Sequence, residues 1–272
     1  MESNKAIALL DSGVGGLTVV KEIFKQLPQE KIVYFGDTAH FPYGPRPQSQ
    51  VRSFVYDIID FLLTQEIKMI IVACNSAAAA GFEYYKERVN VPLLGVIEPA
   101  VRMALQHTRT KKIGVIGTTG TIESGAYQQA FDRLGSSDIQ LFSQACPLFV
   151  LIVENGLTGS PEARRVAEEY LRPLKDAGID TLILGCTHYP LMSDVIQDIM
   201  GPGVKLISSA EETAREAREV LQGSGLLNLE ESNAPRHRFF VSGAAKPFAD
   251  MAAHLLGRKI DAYQVIFPNE RL

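Results

Sequence analysis

Residues 69–76 read M-I-I-V-A-C-N-S. The apolar run that opens this stretch is typical of a β-strand that is covered on both faces, as in a parallel sheet. The alanine-rich run at 77–80 then predicts a helix, and Ser76 is its expected N-cap. The stretch therefore brings a thiol, Cys74, to the carboxyl end of a buried strand, where open α/β sheets bind their ligands.

A second stretch repeats this arrangement. Residues 181–188 read T-L-I-L-G-C-T-H and carry Cys186, 112 residues beyond Cys74, and Pro190 is expected to open the next helix. The glycine-rich turn D-S-G-V-G-G at 11–16 also has a counterpart, G-T-T-G-T at 117–121. This weak internal repeat predicts two similar α/β units whose strand ends face each other across a cleft.

Predicted strands alternate with predicted helices along the chain, which indicates a doubly wound, parallel α/β architecture. The strands are expected at 6–10, 32–36, 69–73, 93–96, 112–116, 139–143, 181–185, 205–207, 236–241 and 261–265. The helices are expected at 17–26, 48–66, from 77, 147–155, 160–176, from 190, 208–222 and 245–256.

Composition excludes several classes of function. The chain has 272 residues, a net charge of −4 and 46% hydrophobic residues, so nucleic acid and anionic membranes are not expected partners. It shows neither a signal peptide nor a membrane-spanning stretch. Three cysteines are too few for a disulfide framework and predict a reducing, cytoplasmic compartment. The composition is still compatible with a small-molecule partner. That partner can be anionic because backbone amides and hydroxyls bind anions.

The two strand-end thiols have several interpretations. A lone cysteine is usually a small buried hydrophobe, which is the interpretation of Cys146. A disulfide between Cys74 and Cys186 is disfavoured by the compartment, and neither has the C-x-x-C partner of a structural zinc site. A thiol hydrolase would use Cys74 as nucleophile and His188 as base, but it leaves Cys186 without a role.

The remaining interpretation uses both sulfurs. A thiolate removes a proton from a carbon held between them, and a thiol gives one to the opposite face, which inverts a stereocentre. The pKa of free cysteine is about 8.5, and a helix N-terminus is expected to lower that pKa for one thiol. Mutual repulsion keeps the other protonated. Because no cofactor signature is present, the carbanion must be stabilised by a hydrogen-bonded carboxylate and a retained ammonium group. Asp11 is expected to face the ammonium group, and the expected donors to carboxylates are Asn75, Ser76, Thr187 and the turn at 118–121.

Six motifs span nearly the whole chain. They are D-S-G-V-G-G-L-T-V from Asp11, G-D-T-A-H-F-P-Y-G from Gly36, A-C-N-S-A from Ala73, G-V-I-E-P from Gly95, G-T-T-G-T-I from Gly117 and G-C-T-H-Y-P-L from Gly185. Together they resemble the glutamate racemases of the cofactor-independent aspartate/glutamate racemase superfamily.

The resemblance implies interconversion of L- and D-glutamate without a cofactor or a metal, and a supply of D-glutamate for peptidoglycan. Cys74 would deprotonate D-glutamate and Cys186 L-glutamate, with Asp11 and His188 assisting the nearby thiols. The implied substrate-binding residues are Asp11, Ser12, Pro42, Tyr43, Gly44, Asn75, Ser76, Thr121, Thr187 and His188.

The implied fold is two flavodoxin-like domains related by pseudo-twofold symmetry, with the active site in the cleft between them. Residues 1–97 with 208–272 would form the first domain and carry Cys74, and residues 98–207 would form the second and carry Cys186. The resemblance also implies a homodimer. Outside it, Asp11, Tyr43 and His188 have purely structural interpretations as a turn cap, loop packing and a helix cap.

The chain departs from the family pattern at several positions. Ser76 stands where the family commonly has threonine, and Leu151 stands where it has proline, so Glu154 is left out of the expected site. Ala244 stands where the family tends to have an acidic residue. The short N-terminus lacks the extension of members that are activated by a cell-wall precursor, so that control is expected to be absent. A racemase for aspartate and an amino-acid sensor that has lost the chemistry stay open as alternatives.

Overall fold

The computed structural model describes residues 2–135, 138–230 and 235–267. Its strands form two sheets in which all the described pairings are parallel. The first sheet contains β1 (Ala6–Asp11), β2 (Ile32–Gly36), β3 (Ile67–Val72), β4 (Leu93–Gly95), β9 (Arg238–Val241) and β10 (Ala262–Gln264). The second contains β5 (Lys112–Gly117), β6 (Gln140–Ala145), β7 (Thr181–Gly185) and β8 (Lys205–Ser208).

Helices connect the strands. They are α1 (Leu17–Gln26), α2 (Gln48–Leu63), α3 (Asn75–Lys86), α4 (Ile97–His107), α5 (Thr119–Glu123), α6 (Ala126–Arg133), α7 (Pro147–Glu154), α8 (Pro161–Asp176), α9 (Ser193–Met200), α10 (Ser209–Gly223) and α11 (Ala245–Leu256). None of the helices in the described ranges is both long and apolar enough to cross a bilayer.

The two sheets have related strand orders. The first runs β10-β9-β2-β1-β3-β4 and the second runs β6-β5-β7-β8. Each therefore contains the order second, first, third, fourth that is typical of flavodoxin-like folds. Every residue of β1, β2, β3 and β7 is buried, as expected of parallel strands covered on both faces. The predicted α/β fold with two doubly wound parallel sheets is confirmed.

The chain leaves the first sheet after β4, builds the second sheet, and returns to the first for β9 and β10. The strand β4 ends at Gly95 and the strand β8 at Ser208. The domain boundaries proposed above, near residues 97 and 207, stay a prediction.

Several local details differ from the sequence prediction. The helix α3 begins at Asn75 with Cys74 at its N-cap, so the prediction of Ser76 as the cap is wrong. A short 3₁₀ turn at Tyr189–Met192 takes the first position expected for the helix at Pro190, and α9 follows from Ser193. The patterns above did not predict α4, α5 or α6 individually.

The structure gives a physical meaning to Ala244. This residue is the N-cap of α11 and makes no side-chain hydrogen bond to the helix. An aspartate at an N-cap accepts a hydrogen bond from the first turn, which alanine cannot do. Ala244 therefore leaves the first turn of α11 without a side-chain cap.

Candidate active site

The carboxyl ends of β3 and β7 lead to a shared cavity. Cys74 and Cys186 are each 6% exposed, and both line this cavity. The residues that line it are Ser12, Phe41, Pro42, Tyr43, Gly44, Cys74, Asn75, Ser76, Thr118, Val150, Cys186, Thr187 and His188. Side chains from both sheets thus enclose one space that carries two thiols.

Cys74 lies in a buried environment that keeps its thiol protonated. Burial, and then the charge of Asp11, raise the pKa of Cys74 from 9.0 to about 12. Hydrogen bonds with Ala77 and Ser12 act in the opposite direction but are weaker, and Sγ lies 3.8 Å from the Ser12 hydroxyl oxygen. The first turn of α3 therefore lowers the pKa of Cys74, as expected of a helix N-terminus, but burial and Asp11 outweigh it and the pKa is raised overall.

Cys186 has a different neighbour. Its sulfur lies 3.8 Å from His188 Nδ1, and His188 Nε2 lies 2.6 Å from Glu154 Oε1. Burial lowers the pKa of His188, but the hydrogen bonds to Cys186 and Glu154, with the charges of Cys186 and Asp11, raise it overall to about 10. At neutral pH an imidazolium ion therefore lies beside the Cys186 sulfur.

Asp11 is fully buried at the end of β1 and does not line the cavity. One carboxylate oxygen accepts from Gly13 N at 2.9 Å, as in a turn cap, and the other accepts from the Thr187 hydroxyl at 3.4 Å. Burial raises the pKa of Asp11, and the charge of His188 lowers it in part. Asp11 thus reaches the cavity through Thr187.

The glycine-rich turn at 11–16 packs against the second sheet. A methyl group on Gly15 would lie 2.3 Å from Thr187 Oγ1 and 2.7 Å from the His188 ring. Real side chains do not tolerate such distances, so only glycine fits there. The glycines let the residues around the second thiol approach the first sheet.

The segment 37–47 holds the Pro42-Tyr43-Gly44 turn at the cavity. The Tyr43 hydroxyl donates to Asp37, which also accepts from the Ser242 hydroxyl at 2.6 Å and contacts His40 Nδ1 at 2.9 Å. Burial and the charge of Asp37 raise the pKa of Tyr43 well above its ordinary value. The Tyr43 hydroxyl therefore stays neutral and donates its hydrogen bond to Asp37.

The same turn reaches the second sheet through its backbone. Gly44 O accepts from Gly120 N at 2.9 Å, and a methyl group on Gly44 would lie 2.7 Å from Thr118 Cβ. Side-chain hydroxyls make further contacts between the two parts of the chain. Ser76 Oγ lies 2.9 Å from Thr118 Oγ1 and 3.3 Å from Thr121 Oγ1. Ser76 therefore bonds across the cleft instead of capping α3.

Sequence and structure comparisons identify the family. Residues 10–217 match the family model described as Asp/Glu/Hydantoin racemase. The chain belongs to this racemase family. The glutamate racemase of Oceanobacillus iheyensis is 49% identical over 250 residues, which are 92% of this chain and 90% of that protein.

Solved structures agree with this assignment. Glutamate racemase isoform RacE1 from Bacillus anthracis superposes with a TM-score of 0.94 at 44% identity and covers 98% of this chain and 99% of its own. The Francisella tularensis glutamate racemase in complex with D-glutamate has a TM-score of 0.90 at 34% identity and covers 98% and 99%. The resemblance predicted from the six motifs is confirmed, as is the enzyme class, a racemase.

Most of the predicted site residues of this racemase lie together. The cavity is lined by Ser12, Pro42, Tyr43, Gly44, Cys74, Asn75, Ser76, Cys186, Thr187 and His188. Asp11 and Thr121 lie behind it, in contact with Thr187 and Ser76 respectively. The roles assigned to all twelve stay predictions.

Several residues that contact the racemase site are not among the predicted site residues. Glu154 contacts His188, although Leu151 replaces the family proline; Leu151 is 51% exposed on the outer face of α7. Tyr127 hydrogen-bonds to Asn75, and Asp37 holds Tyr43. The motif G-D-T carries Asp37, so it held a signal, whereas nothing local marks Tyr127.

In the described ranges, no group of three or more His, Cys, Asp or Glu side chains is arranged to hold a metal ion. The predictions that the enzyme uses neither a metal nor a cofactor stay predictions.

Proposed function

We propose that this racemase interconverts L- and D-glutamate without a cofactor, with Cys74 and Cys186 as its two proton-transferring groups. The observation that carries the proposal is the pair of thiols on one cavity, each delivered by the third strand of its own sheet. The similarity to glutamate racemases, including one solved with D-glutamate, supports the choice of substrate.

The proposed reaction starts with a thiolate on Cys186 and a thiol on Cys74. From L-glutamate, the Cys186 thiolate takes the Cα proton, and the Cys74 thiol gives its proton to the opposite face. The product is D-glutamate, with the charge moved to Cys74. The reverse reaction begins from that second state, so one proton is taken and one is given in each direction.

The surroundings of the sulfurs support this starting state. Burial and Asp11 raise the pKa of Cys74 to about 12, so Cys74 is the proton donor of the resting enzyme. His188 carries a positive charge at neutral pH and lies 3.8 Å from the Cys186 sulfur, where it can donate a hydrogen bond to a thiolate. Glu154 in turn holds the imidazolium ring.

The carbanion needs stabilisation at the substrate carboxylate. Ser12 and Thr118 line the cavity, and their hydroxyls can donate hydrogen bonds to the substrate carboxylate. The Thr187 hydroxyl also lies at the cavity but donates its proton to Asp11. The turn Pro42-Tyr43-Gly44 would take the side-chain carboxylate through its backbone, since Asp37 engages the Tyr43 hydroxyl. A buried site strengthens these interactions because water does not compete for the charge.

We further propose a cytoplasmic homodimer that supplies D-glutamate for peptidoglycan. The similarity to glutamate racemases supports this setting. The three cysteines are free, which fits a reducing compartment.

The test is to incubate the protein with L-glutamate in deuterated water, without pyridoxal phosphate, and to follow circular dichroism and deuterium at Cα. We expect the optical signal to vanish while deuterium enters Cα. Tight binding with a retained signal would instead indicate a sensor, and inversion of aspartate alone would indicate an aspartate racemase. Either result contradicts the proposal.

A further inference from the structure

One hydrogen bond joins the residue after Cys74 to the helix α6. Asn75, in the first turn of α3, donates from Nδ2 to the hydroxyl oxygen of Tyr127 on α6 at 2.9 Å. Asn75 is 2% exposed and Tyr127 is 3% exposed. Water therefore does not compete for this contact.

The other end of the Asn75 amide has no partner. Oδ1 is buried, and no group within residues 2–135, 138–230 and 235–267 hydrogen-bonds to it. Leaving a buried amide oxygen unpaired costs free energy, so such atoms in native proteins call for an explanation. Asn75 is one of the residues that line the cavity, as are its neighbours Cys74 and Ser76, so its side chain belongs to the wall of the substrate site.

We propose that Tyr127 is a positioning residue. Its hydroxyl oxygen accepts Asn75 Nδ2–H and so fixes the amide with Oδ1 left to accept a hydrogen bond from the α-ammonium group of the bound amino acid. This inference rests on the proposed function, because it takes glutamate as the substrate.

Tyr127 is suited to this role by its charge and by its place. Burial raises the pKa of its phenol above the ordinary value, and the charge of Cys186 raises it further, so the hydroxyl stays neutral. A methyl group on Gly185 would lie 3.0 Å from the Tyr127 hydroxyl oxygen, so glycine before Cys186 lets the phenol approach. The amide beside the first thiol is thus set against the strand that carries the second.

The opposite amide orientation predicts a different ligand preference. If Nδ2 faced the substrate, Asn75 would donate to a carboxylate, as the sequence analysis expected. Glutarate, which is glutamate without its amino group, separates these two cases. A contact with the ammonium group affects glutamate alone, whereas a contact with a carboxylate affects both ligands.

The experiment compares wild type, Tyr127→Phe, Asn75→Ala and the double variant. We expect Tyr127→Phe to raise KM for L- and D-glutamate about tenfold, as for one hydrogen bond to a charged group, with kcat changed less than about threefold. The inhibition constant of glutarate should change less than about twofold. Because Tyr127 acts through Asn75, the Tyr127 substitution should add nothing to KM in the Asn75→Ala background.

Tyr85→Phe is the matched control. Its hydroxyl is also buried and donates to α3, at Ala77 O at 3.1 Å, without touching Asn75. We expect a comparable loss of thermal stability and an unchanged KM. A KM change in Tyr85→Phe as large as in Tyr127→Phe would overturn the proposal, because the effect would then be general to the helix.

Three further outcomes contradict the positioning role. They are an unchanged KM in Tyr127→Phe, equal weakening of glutarate and glutamate, and additive effects in the double variant. Should Tyr127→Phe fail to fold, Asn75→Ala alone decides by its selectivity between the two ligands. Failure of the proposed function would show differently, as no racemisation by the wild type, and calorimetric binding of D-glutamate and glutarate would still test Tyr127.

Discussion

Cys74 and Cys186 follow the third strand of two sheets that share a strand order, yet their surroundings differ. Cys74 has a neutral hydroxyl partner, Ser12, and a buried carboxylate, Asp11, nearby. Cys186 has the charged pair of His188 and Glu154. A repeated strand and helix thus brings two thiols to one cavity, and the neighbouring side chains make their surroundings different.

The largest expected effect tests this asymmetry directly. Cys74→Ala and Cys186→Ala should each lower racemisation on the order of 10⁴-fold, because each removes one proton-transferring group. They should differ in partial reactions. Cys74→Ala keeps the sulfur beside His188 and should still exchange the Cα proton of L-glutamate with deuterated water.

Cys186→Ala leaves only a thiol whose pKa is about 12, so it should exchange neither enantiomer at neutral pH. Proton NMR of the Cα signal measures both reactions. Equal exchange by the two variants would show that the asymmetry has no consequence, and racemisation surviving in either would exclude the two-thiol scheme.

Glu154→Gln sharpens the comparison on the Cys186 side. Glu154 helps to raise the pKa of His188 to about 10, so its loss should lower that pKa and reduce activity at neutral pH about tenfold to hundredfold. The carboxylate of Glu87 is exposed, and Glu87→Gln should leave activity unchanged.

The same variant makes a prediction about stability against pH. A raised histidine pKa contributes stability that is fully present below the unfolded value near 6.5 and is lost as pH rises through about 10. Denaturant unfolding should therefore show the largest difference between wild type and Glu154→Gln near pH 6.5, and little difference above pH 10. A difference that does not change over this range would contradict the charged pair.

Gly15→Ala tests how closely the glycine-rich turn at 11–16 must approach Thr187 and His188. The added methyl group would clash with Thr187 and His188, so we expect activity to fall about tenfold and the free energy of unfolding to fall by about 1–3 kcal/mol. Gly159→Ala is the control, because a methyl group there meets no atom within 4 Å. Kinetics and thermal melts measure both, and equal behaviour of the two variants would speak against the close contact.

The smallest effect is expected at Ser76. Ser76→Thr keeps the hydroxyl that bonds Thr118 and adds one methyl group, so KM should change less than about threefold. Ser76→Ala removes the hydroxyl and should raise KM about tenfold. A larger effect of threonine than of alanine would mean that space, not the hydrogen bond, matters at this position.

The sequence predicted the elements that depend on local patterns. Short apolar runs predicted β1, β3, β5 and β7, and the chain order of strands and helices predicted parallel sheets. Ten of the twelve predicted site residues line one cavity because carboxyl ends of parallel strands share an edge. The helix α5 was not predicted, because its five residues are too few to show a periodic pattern of apolar residues.

What escaped prediction depends on contacts between distant residues. Glu154 and His188 are 34 residues apart, and Asn75 and Tyr127 are 52 apart. The sequence predicted a lowered pKa for one of the two thiols without showing which one. For Cys74 burial raises the pKa overall, and the depth of burial around a sulfur cannot be read from a strand and helix pattern. A two-residue shift in the start of α3 likewise turned Ser76 from an expected cap into a contact across the cleft.

The carboxylate of Asp37 has a consequence for how the chain is made. It receives the hydroxyl of Ser242, 205 residues later, just after β9. A ribosome completes the strand before each thiol well before Ser242 emerges, so the nascent chain holds both cysteines while the turn at Pro42 still lacks this anchor. Catalytic competence is thus expected to arrive only with the last strands of the polypeptide.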